Sequence, residues 1–294
     1  ALGARVRRAS ADGVWAADWR ARGDVLRVSG SATDLLLDRQ ALTLGSALER
    51  LGLLGDVRLA YGLAARVFPD SASRDHLEHQ VELSGRGVLP GGHVLAYETR
   101  WSIREVGMAA PLSRDDFQQQ EGALEFGWLP APSWGGTARC EAEAIQYERP
   151  DSSLYVDAQR LRGTLGIHFE PRRGATLQIE AAAERAWSAA TPGEEYVELA
   201  AGPGFECFGA GAWWDIASRA GRRRPAEPGV SPFSGSVSAY QFLELQLGAE
   251  QPLAPEIRLR LTASGRIEEH DDPSRDSRSL FVSVEVRWLA IGSR

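Results

Sequence analysis

The side chains best suited to nucleophilic or metal chemistry are few. They are His76, His79, His93, His168 and His270, with Cys140 and Cys207. A serine hydrolase of the nucleophile-elbow type needs G-x-S-x-G to hold its serine on a tight turn, and the chain has no such motif. The two cysteines lack metal-ligand spacing and are too few for a disulfide framework. His76 and His79 could share a metal only with ligands that the sequence does not supply. His79 falls among the apolar positions of its segment, where a lone histidine reads as an interfacial side chain. No catalytic residue, cofactor site or metal site is expected, and the chain is not read as an enzyme.

The charged residues are far more numerous and are ordered with period two. In 256–268 one parity reads Ile257, Leu259, Leu261, Ala263, Gly265 and Ile267, and the other Arg258, Arg260, Thr262, Ser264 and Arg266. Successive side chains of a strand point to opposite faces, so such a segment has an apolar and a charged face. The pattern recurs in 93–106, where Leu95, Tyr97, Thr99, Trp101 and Ile103 oppose Glu98, Arg100, Ser102 and Arg104. It returns near 56–68, 76–89, 175–188 and 279–291, and more weakly at 117–129, 137–148, 194–202 and 205–218. About 14 strands are expected, within a range of 12–16. They include 12–21 and 24–33 near the N-terminus. Residues 1–11 read as an N-terminal segment ahead of the strands. Residues 34–55 read as a short helix or an extra hairpin, because Leu44, Ala47, Leu48 and Leu51 also have helical spacing.

Connections sort by length. Tight turns are expected at 90–92, 171–174 and 251–255, and longer polar ones at 107–116, 219–235 and 269–278. Arg222, Arg223 and Arg224 fall in one of the longer loops on this reading. No apolar run approaches the ~18 residues of a membrane helix. The net charge of −7 removes a general nucleic-acid binder. The 33 basic residues are all arginine, which carries no functional conclusion.

A soluble β-sandwich also alternates. These strands are longer than the usual 5–6 residues, their charged faces persist from end to end, and the turns follow an up-and-down meander. The expected fold is all-β, a single antiparallel up-and-down transmembrane β-barrel over 1–294.

On that pattern, over 12–291, the chain resembles the outer-membrane β-barrel proteins of Gram-negative bacteria, porin-like in outline. Its last strand, Leu280-Phe281-Val282-Ser283-Val284-Glu285-Val286-Arg287-Trp288, matches the terminal strand of such barrels in alternation. It departs from them in the six residues after Trp288.

The resemblance implies an outer-membrane location, with Ala1 a mature N-terminus left after signal removal. It also implies tight turns and residues 1–11 and 34–55 on the periplasmic side, longer loops outside, and bilayer lipid as a partner. A charge facing lipid at midplane costs about 2–4 kcal/mol for Arg. The charged face is therefore expected to line a lumen with Glu98, Arg100, Arg104, Glu121, Glu125, Arg139, Glu141, Glu143, Arg160, Arg162, Glu180, Glu184, Arg258, Arg260, Glu285 and Arg287. These residues would border a water-filled path or form ion-pair ladders. Trp19, Trp101, Trp187 and Trp214 are expected in the external aromatic girdle, and Trp128 and Trp288 in the periplasmic one. Cys140 is expected on the apolar face and Cys207 on the charged one. A barrel of this size suggests a passive channel for small polar solutes. The alternative is a structural or anchoring barrel within a larger envelope complex.

Overall fold

The computed structural model describes residues 2–26, 39–52, 55–68, 75–106, 116–131, 133–147, 157–188, 195–209, 211–226, 229–231, 235–254 and 256–288. The described residues are almost all strand. In chain order these are β1 (Leu2–Ala9), β2 (Trp15–Leu26), β3 (Arg39–Gly52), β4 (Gly55–Val67), β5 (His76–Val88), β6 (Val94–Val106), β7 (Phe117–Ala131), β8 (Trp134–Tyr147) and β9 (Ala158–Arg172). They continue with β10 (Ala175–Ser188), β11 (Tyr196–Gly209), β12 (Ala212–Pro225), β13 (Gly229–Ser231), β14 (Gly235–Val237), β15 (Tyr240–Ala254), β16 (Ile257–His270) and β17 (Ser277–Trp288). Fifteen form one sheet in the order β1 to β12, then β15, β16 and β17, while β13 and β14 pair separately. The fold is an all-β, up-and-down antiparallel meander.

The chain divides into two compact units, interleaved in sequence. One holds Ala1–Phe126, Glu141–Leu161 and Ser188–Thr191; the other holds Gly127–Cys140, Arg162–Trp187 and Pro192–Arg294.

Connection lengths alternate without exception. Short connections at 10–14, 53–54, 89–93, 132–133, 173–174, 210–211 and 255–256 alternate with longer ones at 27–38, 68–75, 107–116, 148–157, 189–195, 226–239 and 271–276. Residue chemistry fixes the short ones. Gly174 has φ 78°, and a Cβ there would lie 2.5 Å from the Phe208 carbonyl oxygen. Gly211 also has φ 78°. In 10–14, the Ser10 hydroxyl and the Val14 amide both donate to Asp12 and hold its carboxyl below the usual value. In 271–276, the Ser274 hydroxyl and amide do the same for Asp272.

Several expectations from the sequence are corrected. Residues 12–21 and 24–33 were expected as two strands; through Leu26 they are the single strand β2, and 27–38 lie outside the described residues. The expected leading segment 1–11 contains β1, which pairs with β2 from Leu2↔Gly23 to Ala9↔Ala16. The expected helix in 34–55 is β3, over the residues described there. Leu44 and Leu48 share one face in a strand as well as in a helix, and β2 and β4 on either side supply the hydrogen bonds. β3 and β4 do form a hairpin, closing at Gly52↔Gly55.

β11 was expected to break near Pro203-Gly204. It runs through because Pro203 still pairs with Ile179 of β10, while the ladder to β12 skips from Ala201↔Ala220 to Gly204↔Ala217. The turn falls instead at 210–211, inside the expected strand 205–218. Arg222, Arg223 and Arg224 consequently lie in β12 rather than in a loop.

Candidate functional site

Directly paired residues of antiparallel strands share a face, so the registers assign every described side chain in them to one side. In the first unit one row reads Val6, Trp19, Ser46, Tyr61, Val81 and Trp101. In the second, Trp214, Ala249, Leu261 and Val284 form a row, as do Ile216, Leu247, Ala263 and Val282. These apolar rows face solvent. Ile179 is 65% exposed, Leu199 59% and Leu165 61%, and the fully buried apolar residues are few. A soluble protein buries such a face rather than presenting it strand after strand.

The opposite face is polar and densely paired. In the first unit a chain of contacts runs Arg7–Glu49 (3.0 Å), Glu49–Arg58 (3.5 Å) and Arg58–Glu82 (2.7 Å). A second runs Arg100–Glu121 (3.1 Å), Glu121–Gln119 (2.7 Å), Gln119–Glu143 (3.0 Å) and Glu143–Arg160 (2.8 Å). Asp18, only 3% exposed, takes both Arg5 and Arg20.

The residues expected to line a lumen fall on this face. Glu98, Arg100 and Arg104 pair in register with Ser84, Glu82 and Glu78. Glu121, Glu143 and Arg160 belong to the second chain of contacts, and Glu125, Arg139, Glu141 and Arg162 share its parity on their strands. In the second unit Glu180 opposes Gly202, and Glu184 accepts a 2.5 Å hydrogen bond from the Tyr196 hydroxyl. Arg260 pairs with both Glu250 and Glu285. Arg258 and Arg287 reach Glu250 at 2.8 and 3.9 Å, and Arg287 lies 3.1 Å from Glu285.

Two features of the polar face were not foreseen. Each unit has a hollow floored by small residues. The one in the second unit, about 240 Å³, lies over Ala182, Ala200, Gly202, Gly204 and Ala217 and is rimmed by Glu180, Arg219, Glu244 and Gln246. The one in the first unit, about 170 Å³, lies over Gly45, Ala47, Ala60 and Gly62 between Asp18, Arg58 and Glu82.

The second feature is a packed cluster in the second unit, at strand ends next to longer connections. Glu198, 5% exposed, takes Arg219 at 3.0 Å and Arg223 at 2.7 Å. Arg223 lies 3.9 Å over the Tyr196 ring, and Arg266 4.5 Å over Phe242, itself 4% exposed. Tyr240 packs on His270 at 4.7 Å. The signal for the cluster was the parity of Glu198, Arg219 and Arg223, which a loop placed at 219–235 concealed.

Tryptophans sort by strand end. Trp15, Trp19, Trp128, Trp134, Trp213 and Trp214 lie in the halves of their strands nearer a short connection. Trp288 ends β17 away from its longer connection, and Trp101 and Trp187 lie in halves nearer longer ones. Trp19 and Trp214 were expected with Trp101 and Trp187. They lie toward the opposite end because the strand bounds differ from those expected: β2 runs on to Leu26, which leaves Trp19 in its first half, and β12 begins at Ala212, which leaves Trp214 near its start.

His79 pairs with Leu63 and Ile103 on the apolar face, its Nδ1 2.8 Å from the Tyr61 hydroxyl. His76 opposes Arg66 on the other face, so the two cannot share a metal. No group of three or more metal-ligating side chains occurs among the described residues. Cys207 pairs with Trp214 and is thus on the apolar face, contrary to expectation; the turn at 210–211 inverted the parity assumed for it. Cys140 is exposed, and both thiols are free. Unreduced, alkylated protein should carry two labels. A Cys140–Cys207 link seen by mass spectrometry would contradict this strand map.

No protein-family model matches the chain, and no curated protein matches it in sequence. Among solved structures it is similar to one described as a bacterial polysaccharide outer membrane secretin, with 9% identity, 94% of this chain and 90% of that chain covered, and a TM-score of 0.48. At that identity and score, function has to be read from this chain's own residues.

Proposed function

We propose that the chain crosses the outer membrane of a Gram-negative bacterium as a β-barrel and gives small polar solutes a passive route along its polar face. The observation that supports this most is the two-sidedness of the strands. Large apolar side chains are exposed along one face through whole strands, and the charges of the other face pair with one another. In lipid, every backbone polar group must be satisfied within the protein, which leaves helices or closed barrels. No helix among the described residues is long and apolar enough to cross a membrane. Strands of 12–15 residues in most of the sheet exceed the ~9–11 that a tilted crossing needs. Short connections on one side and long ones on the other match the periplasmic and external sides of such barrels. The Trp-rich strand ends then lie at the periplasmic interface.

The second reading, an anchoring barrel inside an envelope assembly, is favoured by the packed cluster around Glu198, which fills polar-face space where a conduit needs room. Purified protein in a planar bilayer should give discrete conductance steps under the channel reading. Silence in the bilayer, together with a partner that stays bound through purification, would replace that reading with the anchor.

A further inference from the structure

The arginines of β12 divide between its two faces. Arg219 and Arg223 turn to the polar face and share Glu198. Arg222 and Arg224 turn to the apolar face, where Arg222 pairs with Leu199 and Gln241, and Arg224 with Val197. Val197 is paired on its other side with Arg185 of β10. Arg185, Arg222 and Arg224 are all exposed, and among the described residues none has a carboxylate partner. Arg185 lies 4.9 Å over the ring of Trp187. Its strand and β12 both end next to longer connections.

Three guanidinium groups on a mostly apolar face, without a carboxylate partner among the described residues, contrast with the ion-paired arginines behind them. Arg185 and Arg224 lie two strand spacings apart, with β11 between them, about 10 Å, and Arg222 and Arg224 lie two positions apart on one strand, about 7 Å. That spacing lets the three converge on one phosphate-bearing group. Guanidinium is planar and binds phosphate oxygens in pairs. The nearest acidic residues on this face are Glu195, which precedes β11, and Glu269, opposite Gln241. They leave the patch net positive. A charge on a lipid-contacting face is tolerated near the interface and not at midplane, which sets the patch at headgroup depth with Trp187 beside it.

We infer that Arg185, Arg222 and Arg224 form a binding site for the phosphate of an anionic lipid headgroup in the leaflet on the side of the longer connections. This rests on the membrane-barrel reading and adds a ligand to it. The source is a membrane lipid, because the site opens on the apolar face beside Leu199, Val197 and Trp187, where acyl chains would lie.

The test uses the whole folded chain in neutral-lipid nanodiscs, with and without phosphatidic acid. Trp187 emission is read against a Trp187→Phe control, and bound lipid is counted by native mass spectrometry. Phosphatidic acid should be retained over phosphatidylcholine. The triple variant Arg185→Ala/Arg222→Ala/Arg224→Ala should lose about tenfold in that preference while keeping its heat-modifiable gel band. A triple Lys variant, which keeps the charge and loses the fork, should fall between. Equal retention of both lipids by the parent protein overturns the site, as does an unchanged preference in the Ala variant. Displacement by millimolar inorganic phosphate would make it a soluble-anion site and overturn the lipid assignment. Failure of the parent protein to enter any nanodisc overturns the membrane reading itself, a result distinct from insertion without headgroup preference.

Discussion

Ile179→Arg should cost about 2–4 kcal/mol of folding free energy in the membrane, a loss of roughly 30- to 700-fold in the folded population. Ile179 sits on the apolar face of β10, 65% exposed, five residues into a strand of fourteen. In a soluble protein a substitution at so exposed a site changes stability by only about 0.5 kcal/mol either way. The membrane reading predicts a large effect because the exposed surface meets lipid, and desolvating a guanidinium there has no compensating partner. Gln246→Arg is the matched control. It places the same charge on the polar face beside Glu244, whose carboxylate lies 2.7 Å from the Gln246 amide, and should be nearly neutral. The measurement is refolding into neutral-lipid vesicles, followed by heat-modifiable migration and denaturant titration. Equal stability of the two variants would remove the bilayer from the account of this fold.

The contrast between these two sites shows what the sequence made legible. Alternation alone sorted Leu259, Leu261 and Ile267 from Arg258, Arg260 and Arg266. The registers keep that sorting, because a one-residue slip would carry every side chain to the wrong face. Within each unit the charged residues whose strands are in register share that unit's polar face, and the alternation of short and long connections was visible from the turns at 90–92 and 171–174. Errors arose where local signals are ambiguous. Leu44 and Leu48, four apart, suit a helix and a strand equally. Pro203-Gly204 has turn chemistry yet lies within a strand, where the missing proline N–H falls at a gap in the ladder to β12. One misplaced turn, near 205–218, inverted Cys207, moved Trp214 to the wrong end and put Arg223 in a loop. The Glu198 cluster was out of reach for another reason. Its members come from β11, β12, β15 and β16, and their association depends on strand register, which no local spacing reveals.

That cluster is where a single substitution should matter most. Glu198→Ala removes the carboxylate that Arg219 and Arg223 share at 3.0 and 2.7 Å. It leaves two guanidinium groups, 30% and 31% exposed, packed against Tyr196, Phe242 and Tyr240, with Glu184 opposite position 198 and Glu244 opposite Arg219 as the remaining carboxylates. Removing one member of a fully buried ion pair typically costs about 3–5 kcal/mol, because the remaining charge stays desolvated; with both arginines partly exposed and two carboxylates left nearby, the loss here should fall below that range and above that of an exposed pair. Exposed pairs on the same sheet, such as Arg100–Glu98 at 3.5 Å, are worth about 0–1 kcal/mol, so Glu98→Ala serves as the internal reference. Adding Arg223→Ala to Glu198→Ala should recover part of the loss, since it removes one of the stranded charges, and the coupling can be read from the double-mutant cycle. Conductance of the same proteins separates the two functional readings. If the cluster narrows an open path, the double variant, with two large side chains removed, should conduct more than the parent while still running as a folded band. If conductance is absent in both, the cluster belongs to a wall that solutes do not cross, and the anchoring role becomes the better account.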